Sequence, residues 1–130
     1  MLVMYSVNPS ITNEGLNRLF AESWEDHQPI NFAPILARSL VYVCAYFERR
    51  LVGYVNVAWD GGKHAFLLDA TVHPSVRRNG IGRELVRRAT EAARERGVVW
   101  LHVDFEPSLT GFYRACGFAP TEAGLIRLRE

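Results

Sequence analysis

The sequence predicts one α/β (α+β) domain over residues 1–130, with a mixed, mostly antiparallel central sheet and helices on both faces. Two observations predict it. Runs of β-branched and aromatic residues alternate along the chain with stretches of helical apolar period. The junctions between the middle strands are short polar or glycine turns, as hairpins require, whereas a long amphipathic helix follows the fourth strand.

Taken in order, Val3-Met4-Tyr5-Ser6-Val7 reads as a first strand, and Asn8-Pro9-Ser10 turns the chain. Ile11, Leu16, Leu19, Phe20 and Trp24 fit a helix period, which predicts an amphipathic helix over about 11–25. Pro29 and Pro34 bracket a loop and a second short helix holding Phe32, Ile35 and Leu36. Leu40 to Phe47 is a β-prone strand, and a polar turn at Glu48-Arg49-Arg50 pairs it in a hairpin with Leu51 to Trp59. Asp60-Gly61-Gly62-Lys63 is a second turn.

Ala65 to Val72 is mostly apolar, so it is expected to be central and buried on both faces, ending at His73-Pro74. From about Gly80 to Arg96, the apolar stripe Ile81, Leu85, Ala89, Ala92 and Ala93 marks a helix, with Gly97 as its C-cap. Val98 to Phe105 reads as a fifth strand. Pro107-Ser108 opens a short helix through Cys116, with Ser108 as N-cap. Gly117-Phe118 and Leu125 to Leu128 are expected to close the chain as two short strands.

Composition narrows the function. Fifteen basic against fourteen acidic residues leave a net charge of +1, without the basic excess of a nucleic-acid binder. Cys44 and Cys116 make neither a disulfide framework nor a metal quartet, so no metal is expected. No run of about 18 apolar residues predicts a membrane span. Met1-Leu2-Val3-Met4-Tyr5 lacks the basic region and long apolar core of a signal peptide, so the expectation is a cytoplasmic enzyme or binding domain. The charge is nevertheless uneven. Seven Arg and three Glu fall between Arg77 and Arg96. Most of these Arg read as a solvated helix face with Glu–Arg pairs.

The front of that cluster, Arg77-Arg78-Asn79-Gly80-Ile81-Gly82-Arg83, joins a strand to a helix. Gly80 and Gly82 allow close backbone approach, and a helix start offers unpaired N–H groups and the positive end of its dipole. Such a junction suits a phosphate or pyrophosphate, with Arg77, Arg78 and Arg83 adding charge-assisted contacts. No Gly-Lys-Ser/Thr follows, so it is not a P-loop. Leu85 stands where a dinucleotide fingerprint needs its third glycine, which argues against a Rossmann site.

The arrangement resembles the acyl-CoA motif of the GNAT superfamily of N-acetyltransferases: Arg or Gln, two residues, Gly, one residue, then Gly or Ala. Here it is Arg77-Arg78-Asn79-Gly80-Ile81-Gly82, after a strand ending Val72-His73-Pro74. Downstream, Gly111-Phe112-Tyr113-Arg114-Ala115-Cys116-Gly117-Phe118 resembles the family's C-terminal Phe-Tyr-x-x-x-Gly-Phe signature. The resemblance covers nearly the whole chain and implies a GNAT-like acyl-CoA N-acyltransferase fold with acetyl-CoA as acyl donor. It implies that the loop from Arg77 to Gly82, with Arg83, binds the CoA pyrophosphate. It also implies that the main chain at Val72 pairs with the pantetheine arm, and that Tyr113 protonates the departing thiolate. The phenol's ordinary pKa of about 10 suits a proton donor. Tyr113 also reads as an aromatic packed in the helix-to-strand corner. One departure from the pattern is Glu106, where family members often carry an Asn that contacts CoA.

An attacking amine must lose a proton, and the residues leave its acceptor open among Asp69, His73, His102 and water. Asp69 lies three residues before Val72, where several similar proteins place an acid near the acceptor. Its other reading is a strand residue facing solvent or pairing with Arg. The acidic end of the first helix, Glu22, Glu25, Asp26 and His27, suits a cationic amine, or is simply solvated. Trp24, Phe32, Tyr42, Tyr46, Tyr54 and Trp59 read mostly as packing. The expected activity is acetyl transfer to a primary amine of a small molecule, less readily of a peptide, by direct attack. The competing reading is a non-catalytic acyl-CoA-binding module. Among similar proteins homodimers are common.

Overall fold

The computed structural model describes residues 1–130. Five strands, β1 (Val3–Val7), β2 (Ser39–Phe47), β3 (Arg50–Trp59), β4 (His64–Val72) and β5 (Trp100–His102), form one sheet in chain order. The first three pairings are antiparallel and β4–β5 is parallel. Helices α1 (Asn13–Ser23) and α2 (Ala33–Ala37) precede β2, α3 (Ile81–Glu95) links β4 to β5, and α4 (Thr110–Ala115) follows β5. Short 3-10 turns occupy Pro74–Val76 and Pro107–Leu109. The mixed, mostly antiparallel sheet with helices on both faces is the fold expected.

Strand alternation divides the core. Cys44 and Tyr54 point to one face, where they bury Leu16, Leu19 and Phe20 of α1 together with Phe32. Val43, Ala45, Val55 and Val57 point to the other, against Ile81, Leu85, Val86 and Ala89 of α3. Each such fully buried Leu, Ile or Val contributes roughly 1.5–3 kcal/mol relative to exposure. Packing therefore holds α3 on the sheet far more firmly than its surface ion pairs, each of which contributes about 0–1 kcal/mol. No helix is long and apolar enough to cross a membrane.

The pairs on the outer face of α3 match the expected Glu–Arg lattice. Glu84 accepts from Arg87 at 2.6 Å and Arg88 at 2.7 Å, and Glu91 pairs with Arg94. The Arg87 hydrogen bond, reinforced by Arg88, holds the Glu84 carboxyl down to about 2 from an ordinary 4.5. A depressed carboxyl pKa stabilises the folded state above the unfolded value and loses that contribution as pH falls through the folded one. Glu84→Gln is accordingly expected to lower stability by on the order of 0.5–1 kcal/mol at pH 7. Urea midpoints of the two proteins should converge as pH falls from 4.5 to about 2.

Several boundaries differ from the sequence expectation. The first helix is shorter than 11–25, because Thr12 accepts from the Gly15 N–H at 2.9 Å and starts it, while Trp24 already has extended backbone. From His64 to Leu68, β4 is buried on one face only. Ala65 and Leu67 pack toward α3, but Phe66 and Leu68 are exposed because α1 stops short of them. β5 spans three residues rather than Val98 to Phe105, because the chain leaves β4 after His102. Ser108 does not cap α4; it lies inside the preceding 3-10 turn.

The two closing strands are absent. Gly117-Phe118 instead terminates α4, and Leu125, Ile126 and Leu128 are 82%, 86% and 87% exposed with no strand to pair with. Gly117, at φ 103°, supplies the left-handed residue of a Schellman cap. The Phe118 N–H reaches the Tyr113 carbonyl at 3.1 Å, and the Gly117 N–H reaches that of Arg114 at 3.0 Å. The Phe118 ring then packs on Tyr113, centroids 5.8 Å apart. This is the physical content of the Tyr-x-x-x-Gly-Phe spacing.

Candidate functional site

The site forms where β4 and β5 part. They pair at His64–Trp100, Ala65–Leu101 and Phe66–His102, and nowhere beyond. From Leu67 to Val72, β4 therefore presents an edge that β5 does not cover. Within that stretch Asn56 pairs with Leu68 and Tyr54 with Thr71, so Asp69 and Ala70 together stand opposite Val55. This is a β-bulge, and Asp69 carries its left-handed backbone at φ 58°. A non-glycine residue in that region costs about 1–2 kcal/mol, least for Asp and Asn. The extra residue switches the alternation. Ala70 and Val72 pack toward α3, and Thr71 turns to the α1 face.

The loop after β4 builds a cradle for an anion. Arg78, at φ 67°, and Gly80, at φ 75°, both take left-handed backbone, and the Asn79 side chain braces the turn by donating to the Val76 and Arg77 carbonyls. Helix α3 begins with no side-chain cap, and its first intrahelical bond runs from the Glu84 N–H to Gly80. The N–H groups of Ile81, Gly82 and Arg83 thus have no intrahelical acceptor. The guanidiniums of Arg78 and Arg83 make no ion pair within the chain, unlike those of Arg87, Arg88 and Arg94. A negatively charged pyrophosphate fits this combination of bare amides, dipole and free charge.

Two members of the motif behave differently from the sequence expectation. A Cβ on Gly82 would meet the Phe112 ring of α4 at 3.3 Å, so this glycine seats an aromatic of the chain itself, whereas a Cβ on Gly80 would meet nothing within 4 Å. Arg77 folds back, its Nε donating to the Val72 carbonyl at 3.2 Å. An extended arm pairing with Val72 would share or displace that contact. Ile81 is buried in the core, so its contribution to the cradle is its amide alone.

Helix α4 brings Tyr113 to the same region through the Phe112–Gly82 contact. The Tyr113 ring is buried, stacked on Phe105 at 4.8 Å and edge-on to Phe112 at 4.9 Å. Its hydroxyl bonds nothing in the chain, yet Tyr54 Oη is the only buried side-chain polar atom without a partner. The Tyr113 hydroxyl therefore keeps contact with solvent. Burial, then Cys116 and Asp104, raises its pKa, so it remains a proton donor through neutral pH.

The candidate proton acceptors separate by their surroundings. Asp69 is exposed on the bulge, makes no ion pair with any Arg, and has its carboxyl pKa raised by desolvation. His73 accepts the Ser75 N–H at Nδ1, 3.1 Å, and contacts Glu22 through Nε2 at 2.8 Å. Both nitrogens are engaged in tying the end of β4 to α1. His102 contacts His64 at 2.8 Å and stacks on Phe66 at 4.7 Å, on the open sheet face. Burial pushes the Cys44 thiol up to about 12, which keeps it inert. Glu106 starts the 3-10 turn before α4, its carbonyl accepting from the Leu109 N–H at 2.9 Å.

Beside the bulge, Ser23, Trp24, Glu25, Asp26, His27 and Arg77 line a cleft of about 540 Å³. Sequence reasoning passed over Thr71, which joins this wall to the bulge. Its partner Trp24 is 47 residues away, and no local spacing signals the contact.

Comparison with known proteins bears on the family and the fold. The Acetyltransferase (GNAT) family profile matches residues 10–118. A probable glucosamine 6-phosphate N-acetyltransferase 2 of Oryza sativa subsp. japonica is 33% identical over 82 residues, 63% of this chain and 46% of that protein. The chloroplastic serotonin N-acetyltransferase 2 of the same plant is 37% identical over 70 residues, 54% of this chain and 35% of that one. The chain thus spans less than half the length of these curated relatives. A GNAT-family acetyltransferase of Streptococcus pneumoniae TIGR4 superposes with a TM-score of 0.82 over 98% of this chain and 100% of that one, at 24% identity. The aminoglycoside acetyltransferase AAC(6')-Iy, bound to a bisubstrate analogue of CoA, gives 0.78 at 17% identity over 100% and 99%. At these identities the superpositions speak to the fold.

Proposed function

Because the chain belongs to the GNAT family of acetyltransferases, we propose that it transfers an acetyl group from acetyl-CoA to a primary amine of a small molecule. The observation that carries the reading is the parted β4–β5 edge, with a bulge at Asp69 between the uncapped start of α3 and the Tyr113 hydroxyl. One end of this groove suits a pyrophosphate, and the other suits a thiolate leaving group. The relatives named for glucosamine 6-phosphate and serotonin share a primary amine in their acceptors, which is the acceptor class proposed here.

In this mechanism the neutral amine attacks the thioester carbonyl carbon, forming the C–N bond. The C–S bond breaks, and the departing sulfur takes the Tyr113 proton. The proton released from the amine nitrogen passes to Asp69, directly or through water. The loop from Arg77 to Arg83 contributes positioning, which lowers the barrier by holding the thioester against the bulge. The acceptor enters over the open α1-side face of the sheet, past Phe66 and Leu68.

The test is thiol release from acetyl-CoA across a panel of primary amines, with calorimetry of acetyl-CoA binding alongside. Saturable release with at least one amine is the expected result. Tight binding without transfer to any amine favours the non-catalytic acyl-CoA-binding module, and absence of binding overturns both readings.

A further inference from the structure

We propose that Trp24 and Thr71 are positioning residues for acetyl transfer, acting together to hold the bulge at Asp69 in its productive shape. The Trp24 indole N–H donates to Thr71 Oγ1 at 3.1 Å, and the Thr71 hydroxyl donates to the Asp69 carbonyl at 2.9 Å. The inference rests on the acetyltransferase reading of the site.

The direction of this relay is fixed by chemistry. An indole nitrogen only donates, and a carbonyl only accepts, so the hydroxyl between them must accept from Trp24 and give its single proton to Asp69. Thr71 is buried on the α1 face, a placement that the bulge itself creates, and both of its polar roles are used. The relay therefore closes on the residue whose left-handed backbone makes the bulge possible. At its other end, Trp24 is 49% exposed and lines the cleft beside Glu25, Asp26 and Arg77. One Trp24 side chain thus lines the cleft beside the bulge and anchors β4 with its N–H. The Glu22–His73 contact is a second tie between the same two elements, but it ends beyond the bulge and does not reach Asp69.

Thr71→Val and Trp24→Phe both open the relay. Thr71→Val keeps the side-chain shape and removes the hydroxyl with both of its links, whereas Trp24→Phe removes the indole N–H and only the first link. Each is expected to lower kcat about five- to tenfold, while acetyl-CoA affinity by calorimetry stays within about twofold. The double variant should fall no more than about twofold below the worse single one, because the second change finds the relay already open. Thr71→Ser should restore kcat. Amide exchange at Ala70 and Thr71 should quicken about tenfold in both single variants and return in Thr71→Ser. Unchanged kcat, losses that multiply in the double variant, or unchanged exchange would overturn the proposal. If the unmodified protein transfers acetyl to no amine, exchange alone decides. Faster exchange reversed by Thr71→Ser keeps the relay and discards only the acetyltransferase reading, and unchanged exchange discards the relay as well.

Discussion

Tyr113→Phe is expected to lower kcat roughly 10²-fold at neutral pH and to leave acetyl-CoA affinity within about twofold. The substitution removes one oxygen from a ring held by Phe105, Phe112 and Phe118, and that oxygen bonds nothing in the chain. Packing, helix α4 and its glycine cap therefore survive, and thermal stability should change little. What disappears is the proton source for the leaving thiolate. Because burial raises the Tyr113 pKa above its usual 10, the unmodified enzyme should keep its activity well into alkaline solution before the phenol ionises. Steady-state kcat measured across pH should show that alkaline decline in the unmodified protein and none in the variant. Full turnover by Tyr113→Phe at every pH would remove the residue from the mechanism.

The second large effect is expected at the bulge. Asp69→Asn should cost roughly 10²-fold in kcat, since an amide cannot take the amine's proton. Asparagine tolerates left-handed backbone, so the φ of 58° is retained and the bulge persists. The pH signs are opposite for activity and stability. As the proposed base, Asp69 works when deprotonated, and desolvation raises its pKa, so the acidic decline of kcat is expected at a higher pH than an ordinary aspartate would give. For stability, a raised carboxyl pKa means that the folded state is favoured at low pH and loses that advantage as pH rises from the unfolded pKa through the folded one. Asparagine carries no charge to desolvate, so the variant should be at least as stable as the unmodified protein at neutral pH. Kinetics against pH, paired with urea unfolding at pH 7, checks both halves. A variant that keeps its acidic decline and most of its rate would show that another group takes the proton.

Much of this site was readable before any coordinates, for a physical reason. The Arg77–Gly82 loop, the stripe of α3 and the Tyr113–Phe118 run are local devices. Each is a contiguous stretch whose turn, helix or cap is decided by its own residues. What escaped was decided by pairing across the chain. The bulge at Asp69 depends on how β4 registers against β3, and Asp69 has no neighbour in sequence that announces it. β5 is short because it leaves β4, although Val98 to Phe105 remains β-prone throughout. Leu125 to Leu128 has strand-forming side chains and no strand beside it, so propensity alone does not make it a strand. His73 looked available as a base by type and position. Its engagement by Ser75 and by Glu22, from a helix some fifty residues earlier, is visible only in space.

The contact between Gly82 and the Phe112 ring carries a further consequence. Gly82 lies in the first turn of α3, and Phe112 is next to Tyr113, so the missing side chain at residue 82 leaves room for the α4 ring beside the start of α3. It acts as a gauge block. The approach of α4 to the start of α3 is set where a residue without a side chain faces a ring, with no long flexible side chain between them. A methyl group added at residue 82 would fall 3.3 Å from the ring carbon, and the Phe112 ring would have to give by a few tenths of an ångström. The closeness of α4 to the start of α3 is thus written into the absence of a side chain at residue 82.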